Sequence, residues 1–157
     1  MKKYRNFQFG WIIVLIFIVA ITIIVLGYKY QWGNSPIDLA GLVFFSFFFG
    51  VLILLFYGIT IKVTDEHLII RFGIGLIDKR IKLSSIKSID TVKNSPYCGY
   101  GIRIISNGIL YNVSGRQAIE IRLKGKKNVV QIGTNDWENL KIAIEERLKI
   151  NGYQHSV

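Results

Sequence analysis

Cysteine is almost missing: Cys98 stands alone in 157 residues, so the chain can form no internal disulfide and no paired-thiol metal site. Histidine is nearly as scarce, with His67 and His155 far apart in sequence. Neither pattern points to an oxidising compartment or a zinc centre. Charge is also missing, but only locally. Phe7 to Tyr28 and Leu39 to Ile61 carry no Asp, Glu, Lys or Arg. Overall, charged residues make up 19 % of the chain and hydrophobic ones 51 %, too apolar a balance for an ordinary soluble domain of this length.

The apolar residues are concentrated in the first 61 positions. A helix rises about 1.5 Å per residue, so each uncharged run can cross a hydrocarbon layer of about 30 Å. The region that follows, about 95 residues long, is too small to wrap two such helices, so spanning is the expected role. The basic start Met1-Lys2-Lys3-Tyr4-Arg5 also suits a signal peptide. The apolar run is too long for that, and Tyr28, Tyr30 and Trp32 stand where a small-residue cleavage motif would be. Aromatic rings near the ends of both runs suit the headgroup level.

Lys2, Lys3 and Arg5 precede the first run, and sixteen Lys/Arg against nine Asp/Glu follow the second. Positive flanks favour the cytoplasmic side, so a helical hairpin with both ends inside is expected. The expected organisation is a basic N-terminus over 1–6, a first span over 7–28 and an external loop over 29–38. A second span over 39–58, a domain over 59–150 and a tail over 151–157 follow. No charge interrupts either span, which disfavours transport by this chain alone.

After the second span the pattern alternates. Ile59, Ile61 and Val63 alternate with Thr60, Lys62 and Thr64, the period of a half-buried strand. The turn Thr64-Asp65-Glu66-His67 leads to Leu68–Phe72, and further strands are expected over 77–83, 85–92, 101–106, 108–113, 118–123 and 129–132. Asn107-Gly108 is a hairpin signal, and Lys124-Gly125-Lys126-Lys127-Asn128 a second turn. Trp137, Leu140, Ile144 and Leu148 then share one face of a closing helix. Asn135 is its expected cap, with Glu138 three residues on, and Glu145 with Lys149 its expected ion pair.

About seven strands closed by one amphipathic helix resemble the pleckstrin-homology superfold, and with the hairpin the chain resembles the bacterial PH-like membrane protein family. The resemblance rests on Val63-Thr64-Asp65-Glu66-His67-Leu68, Gly99-Tyr100-Gly101-Ile102-Arg103, Leu110-Tyr111-Asn112-Val113-Ser114-Gly115 and Ile132-Gly133-Thr134-Asn135. It implies an α+β membrane protein whose bent antiparallel β-barrel is capped by the C-terminal helix. It also raises phosphoinositide binding, but here the first hairpin loop is acidic at Asp65 and Glu66, where that function needs basic residues.

No catalytic constellation emerges, and no enzyme activity, cofactor or small-molecule substrate is expected. His67 reads as a polar turn residue, Cys98 as an inert thiol, and Ser114 lacks partners for a nucleophile. Gly73-Ile74-Gly75 and Gly99-Tyr100-Gly101 lie between strands, so they supply no helix N-terminus to a phosphate and read as bends. The functional content lies in basic residues: Lys79, Arg80 and Lys82 in one strand, and Lys124, Lys126 and Lys127 in one turn. These are the candidate contacts for anionic lipid. Nucleic acid is disfavoured, because no stacking platform or reading helix accompanies them. The expectation is a non-enzymatic, membrane-anchored binding or scaffold module for protein partners or self-assembly. An anionic-lipid sensor, or an accessory subunit of a transport or secretion complex, is the alternative.

Overall fold

The computed structural model describes residues 4–93, 100–113, 117–150 and 152. The expected features at Lys2 and Lys3, Cys98, Gly99, Ser114, Gly115, His155 and most of the 151–157 tail therefore lie outside the described residues. The fold is α+β: two long apolar helices, a region of two sheets, and a closing helix.

Chain order begins with a strand, β1 (Tyr4–Phe9), followed by α1 (Trp11–Tyr30) and α2 (Leu39–Phe56). Both helices are long and apolar enough to cross a membrane. The first begins at Trp11 rather than at Phe7, because the residues before it are committed to a sheet. Phe7 and Phe9 continue the apolar run in sequence, yet they alternate with Asn6 and Gln8, the period of a strand. Asp38 caps α2, its Oδ1 accepting from the Gly41 N–H at 2.8 Å. The Phe17 and Phe49 rings meet between the helices with centroids 5.8 Å apart.

The chain leaves α2 without a linker. The strands β2 (Gly58–Val63), β3 (His67–Phe72) and β4 (Ile77–Lys82) follow, and with β1 they form an antiparallel sheet in the order β1-β2-β3-β4. A short 3₁₀ turn, Leu83–Ser85, leads to β5 (Ile86–Lys93), β6 (Gly101–Ile105), β7 (Gly108–Asn112), β8 (Gln117–Leu123) and β9 (Val129–Gly133). These make a second sheet in the order β5-β8-β9-β7-β6. Last comes α3 (Trp137–Ile150). The expected closing order of strands and helix is present, with nine strands among the described residues rather than about seven.

The second sheet is not purely antiparallel, since β7 and β9 pair in parallel. This pairing sets the place of Gly108. The hairpin between β6 and β7 turns at Ser106-Asn107, one residue earlier than expected, with Ile105 facing Gly108. Gly108 is needed instead for the parallel pairing. A Cβ there would collide with the Val129 carbonyl, and the Val129 N–H donates to the Asn107 carbonyl at 2.8 Å.

The core draws on both sheets and all three helices. Ile59, Ile61, Val63, Leu68 and Ile70 from the first sheet are fully buried, as are Ile119, Ile121 and Ile132 from the second. Leu140, Ile144 and Leu148 cover them from α3, as their helical spacing predicts, with Trp137 packed half-buried at the margin. Ile13 belongs to the same cluster, and Phe17 and Phe56 pack against it, so the core continues into the helical hairpin.

The entry to α3 differs from expectation. The Leu140 N–H donates to the Asp136 carbonyl at 3.1 Å, which places Asp136, not Asn135, at the N-cap position. Asp136 also organises its surroundings, accepting from Asn139 Nδ2 at 2.6 Å and from Asn6 Nδ2 at 3.3 Å. The ion pair on α3 is Lys141–Glu145 at 3.8 Å, one turn earlier than the expected Glu145–Lys149.

Candidate docking surfaces

Strand register decides which basic residues act together. In the first sheet, Arg5 faces Lys62, Lys62 faces Ile69, and Ile69 faces Arg80. The next row toward the helices is Phe7, Thr60, Arg71 and Asp78. Lys82 sits opposite His67. The outward face of this sheet therefore gathers Arg5, Lys62, Arg71, Arg80 and Lys82 around one carboxylate. Asp78 pairs with Arg71 at 3.0 Å and Arg80 at 3.3 Å. Burial pushes its carboxyl up, but hydrogen bonds from the two guanidinium groups and their charge outweigh this and hold it below the usual carboxylate range.

Lys79 is not part of that group. It faces Ile70, so it lies on the core side of the sheet while remaining exposed at the edge strand β4. An inward-pointing charge at a sheet edge discourages pairing with another chain. The sequence cluster Lys79-Arg80-Lys82 is thus split by the sheet. Arg5, Lys62 and Arg71 join it from other strands, and no signal short of strand register identifies them.

Lys124, Lys126 and Lys127 are exposed in the turn between β8 and β9. Their turn connects to the end of the first sheet that lies away from the helix junction. The Lys124 N–H donates to the Ser85 carbonyl, and the Leu83 N–H to the Glu66 carbonyl, each at 2.8 Å. Glu66 follows the end of β2, so about 17 Å of strand separates this pole from Gly58. Asp65 in the same turn lies 3.9 Å from the buried Arg147 of α3. The acidic hairpin loop thus has a structural partner inside the protein. His67 closes this turn through its backbone: its N–H donates to Thr64 Oγ1 at 3.0 Å, and the Thr64 hydroxyl donates to its carbonyl at 2.9 Å.

A different surface is apolar. The strand β6 ends the second sheet, and no described strand pairs with its outer side. Ile104 is 91 % exposed, with Ile102 and Ile109 exposed beside it. Ile104 faces Ile109, Ile109 faces Val130, and Val130 faces Ile121, so this is the core side of the sheet continued past the core. Between β6 and the helices lies a cleft of about 340 Å³, lined by Ile13, Ile16, Phe17 and Phe56 on one side and by Tyr100 to Arg103 on the other. Alternation in the sequence marks these isoleucines as core; only the sheet order shows them overhanging it.

No protein-family profile, no curated protein and no solved structure matches this chain.

Proposed function

We propose that this protein is a non-enzymatic, membrane-anchored platform that holds a PH-like β-domain at the cytoplasmic surface and docks a protein partner along β6. The cytoplasmic placement is supported by the basic residues flanking the two apolar helices. The PH-like reading is supported by two sheets closed by a C-terminal helix. The additional strand β1 and the parallel β7–β9 pair depart from that pattern.

The observation that carries the partner reading is the exposed apolar edge. Ile104 at 91 % exposure, on a strand whose outer side is paired by no described strand, offers a backbone edge and side chains for an incoming chain to cover. The fold also supplies rigidity, because β1 and β2 pair directly before α1 and after α2. A platform held by two paired strands presents its edge in a fixed pose, which lowers the entropy lost on docking.

A second reading, contact with anionic lipid, is favoured by the basic outward face of the first sheet. Its attraction falls off within a Debye length, about 8 Å at physiological salt. Arg71 lies two residues from the helix end of the sheet, whereas the Lys124–Lys127 turn lies at the opposite pole. The lipid reading therefore rests on Arg71, Lys62 and Arg5 more than on the turn lysines.

The test is affinity purification from native membranes of the wild-type chain and of the double variant Ile102→Lys, Ile104→Lys. A stoichiometric protein that accompanies the wild type and is lost from the variant is expected. Equal recovery with both would remove β6 as the docking edge.

A further inference from the structure

We propose that the turn between β3 and β4, Gly73 to Leu76, enters the apolar boundary of the bilayer beside α2, giving the chain a lipid contact additional to its two helices. This rests on the reading that α1 and α2 cross a bilayer. It adds an element that neither hydropathy nor basic charge marks.

The turn is fixed against the helix by its backbone. The Ile74 N–H donates to the Leu54 carbonyl at 3.2 Å, and the Gly73 N–H to the Gly58 carbonyl at 2.8 Å. Gly73 adopts φ +47°, and a Cβ there would collide with the Leu54 and Leu55 carbonyls, so the turn sits directly on the helix backbone. Leu54 precedes the helix end at Phe56 by two residues, about 3 Å along the axis. The solvent around the last turn of α2 is therefore the solvent around the tip of this hairpin.

The tip has the chemistry of that solvent. Ile74 is 58 % exposed and Leu76 75 % exposed, where a hairpin tip in water carries polar residues. The strand β1 agrees. Its inward side chains are Tyr4, Asn6 and Gln8, opposite the buried Val63, Ile61 and Ile59, and its outward ones include Phe7 and Phe9. This is the reverse of a half-buried strand in water. It follows naturally if the inward face meets the polar entry to α3 and the outward face meets lipid. Moving away from the helices, the outward face of β1 passes from Phe9 to Phe7, level with the ion-paired Arg71 and Asp78, and then to Arg5 beside Lys62. Apolar residues followed by basic ones match the order of acyl chain and phosphate at an anionic leaflet.

Spin labelling tests this with the full chain in vesicles of phosphatidylcholine and phosphatidylglycerol. In a Cys98→Ser background, a nitroxide is attached to Leu76→Cys, and separately to Phe47→Cys in the middle of α2 and Lys126→Cys at the far pole. Collision with oxygen, which concentrates in lipid, is compared with collision with a water-soluble nickel chelate. The proposal expects oxygen to dominate at positions 47 and 76, and nickel at 126. Nickel dominating at 76 while oxygen dominates at 47 overturns the inference and leaves the spans standing. Low access of both reagents at 76 also overturns it, since that position would then be covered by protein. Nickel dominating at 47 overturns the spanning reading and the inference with it.

Discussion

The Tyr4 hydroxyl donates to the Asp136 carboxylate at 2.9 Å, joining the strand before the first helix to the cap of the last helix. Beside it, Gln8 Nε2 donates to Thr134 Oγ1 at 2.9 Å, and the Asn135 N–H donates to Gln8 Oε1 at 3.3 Å. These contacts fasten β1 to the entry of α3, so the strand before the first helix is part of the folded region. A hydrogen bond to a charged acceptor contributes about 1.5–3 kcal/mol, which makes this junction a large share of a small domain's stability.

Because the bond is only part-buried, Tyr4→Phe should destabilise the protein by about 1–2 kcal/mol at neutral pH, measured by chemical unfolding in detergent micelles. The pH dependence has a definite sign. Burial, then the hydrogen bond to Asp136 and its negative charge, raise the Tyr4 phenol in the fold well above its ordinary value. The fold thus favours the neutral phenol. Its contribution is complete below about pH 10, the unfolded value, and is lost as pH rises through the folded one. The alkaline loss of stability should be shallower in Tyr4→Phe; an unchanged alkaline limb would remove Tyr4 as its source.

Gly73→Ala should loosen the seat of the β3–β4 turn on α2. The left-handed φ disfavours a side chain by about 1–2 kcal/mol, and the carbonyl collision adds to that. Amide exchange should rise at Ile74 and Gly75 ahead of the core strands. Unchanged protection there would contradict the seating.

Ile144→Ala should lower stability by about 2–5 kcal/mol, because the side chain is fully buried between α3 and the sheets. Ile142→Ala, on the same helix but 52 % exposed, should change it by less than about 1 kcal/mol. Comparable losses in melting experiments would mean that α3 packs with another face.

Lys126→Glu with Lys127→Glu should leave stability within about 0.5 kcal/mol, since both side chains are exposed. Energy transfer from a dye at Asn128→Cys, in a Cys98→Ser background, to labelled headgroups reports how close this pole lies to the bilayer. Transfer should be the same in neutral and anionic vesicles and should not respond to salt. A rise with anionic lipid that salt or the double reversal abolishes would restore these lysines as headgroup contacts.

Periodicity carries most of the strand and helix assignments. Residues such as Ile59, Ile61 and Val63, or Leu140, Ile144 and Leu148, declare their buried face one element at a time. What stayed hidden depends on which elements become neighbours. The strand Tyr4–Phe9 was obscured because its outward phenylalanines run straight into the apolar helix. Gly108 looks like a turn residue in sequence because the demand for it comes from Val129, on a strand distant in sequence. For the same reason sequence adjacency groups Arg80 and Lys82 with Lys79, while register groups them with Arg5, Lys62 and Arg71. The apolar overhang at Ile104 has an ordinary core pattern, and only its place on the last strand of a sheet exposes it.

A photoreactive amino acid placed at Ile104 in native membranes, with a second at Lys126 as control, decides whether β6 is the docking edge of the platform. A discrete protein adduct from position 104 and none from position 126 is expected. Adducts with lipid alone at 104, or the same adducts from both positions, would contradict it.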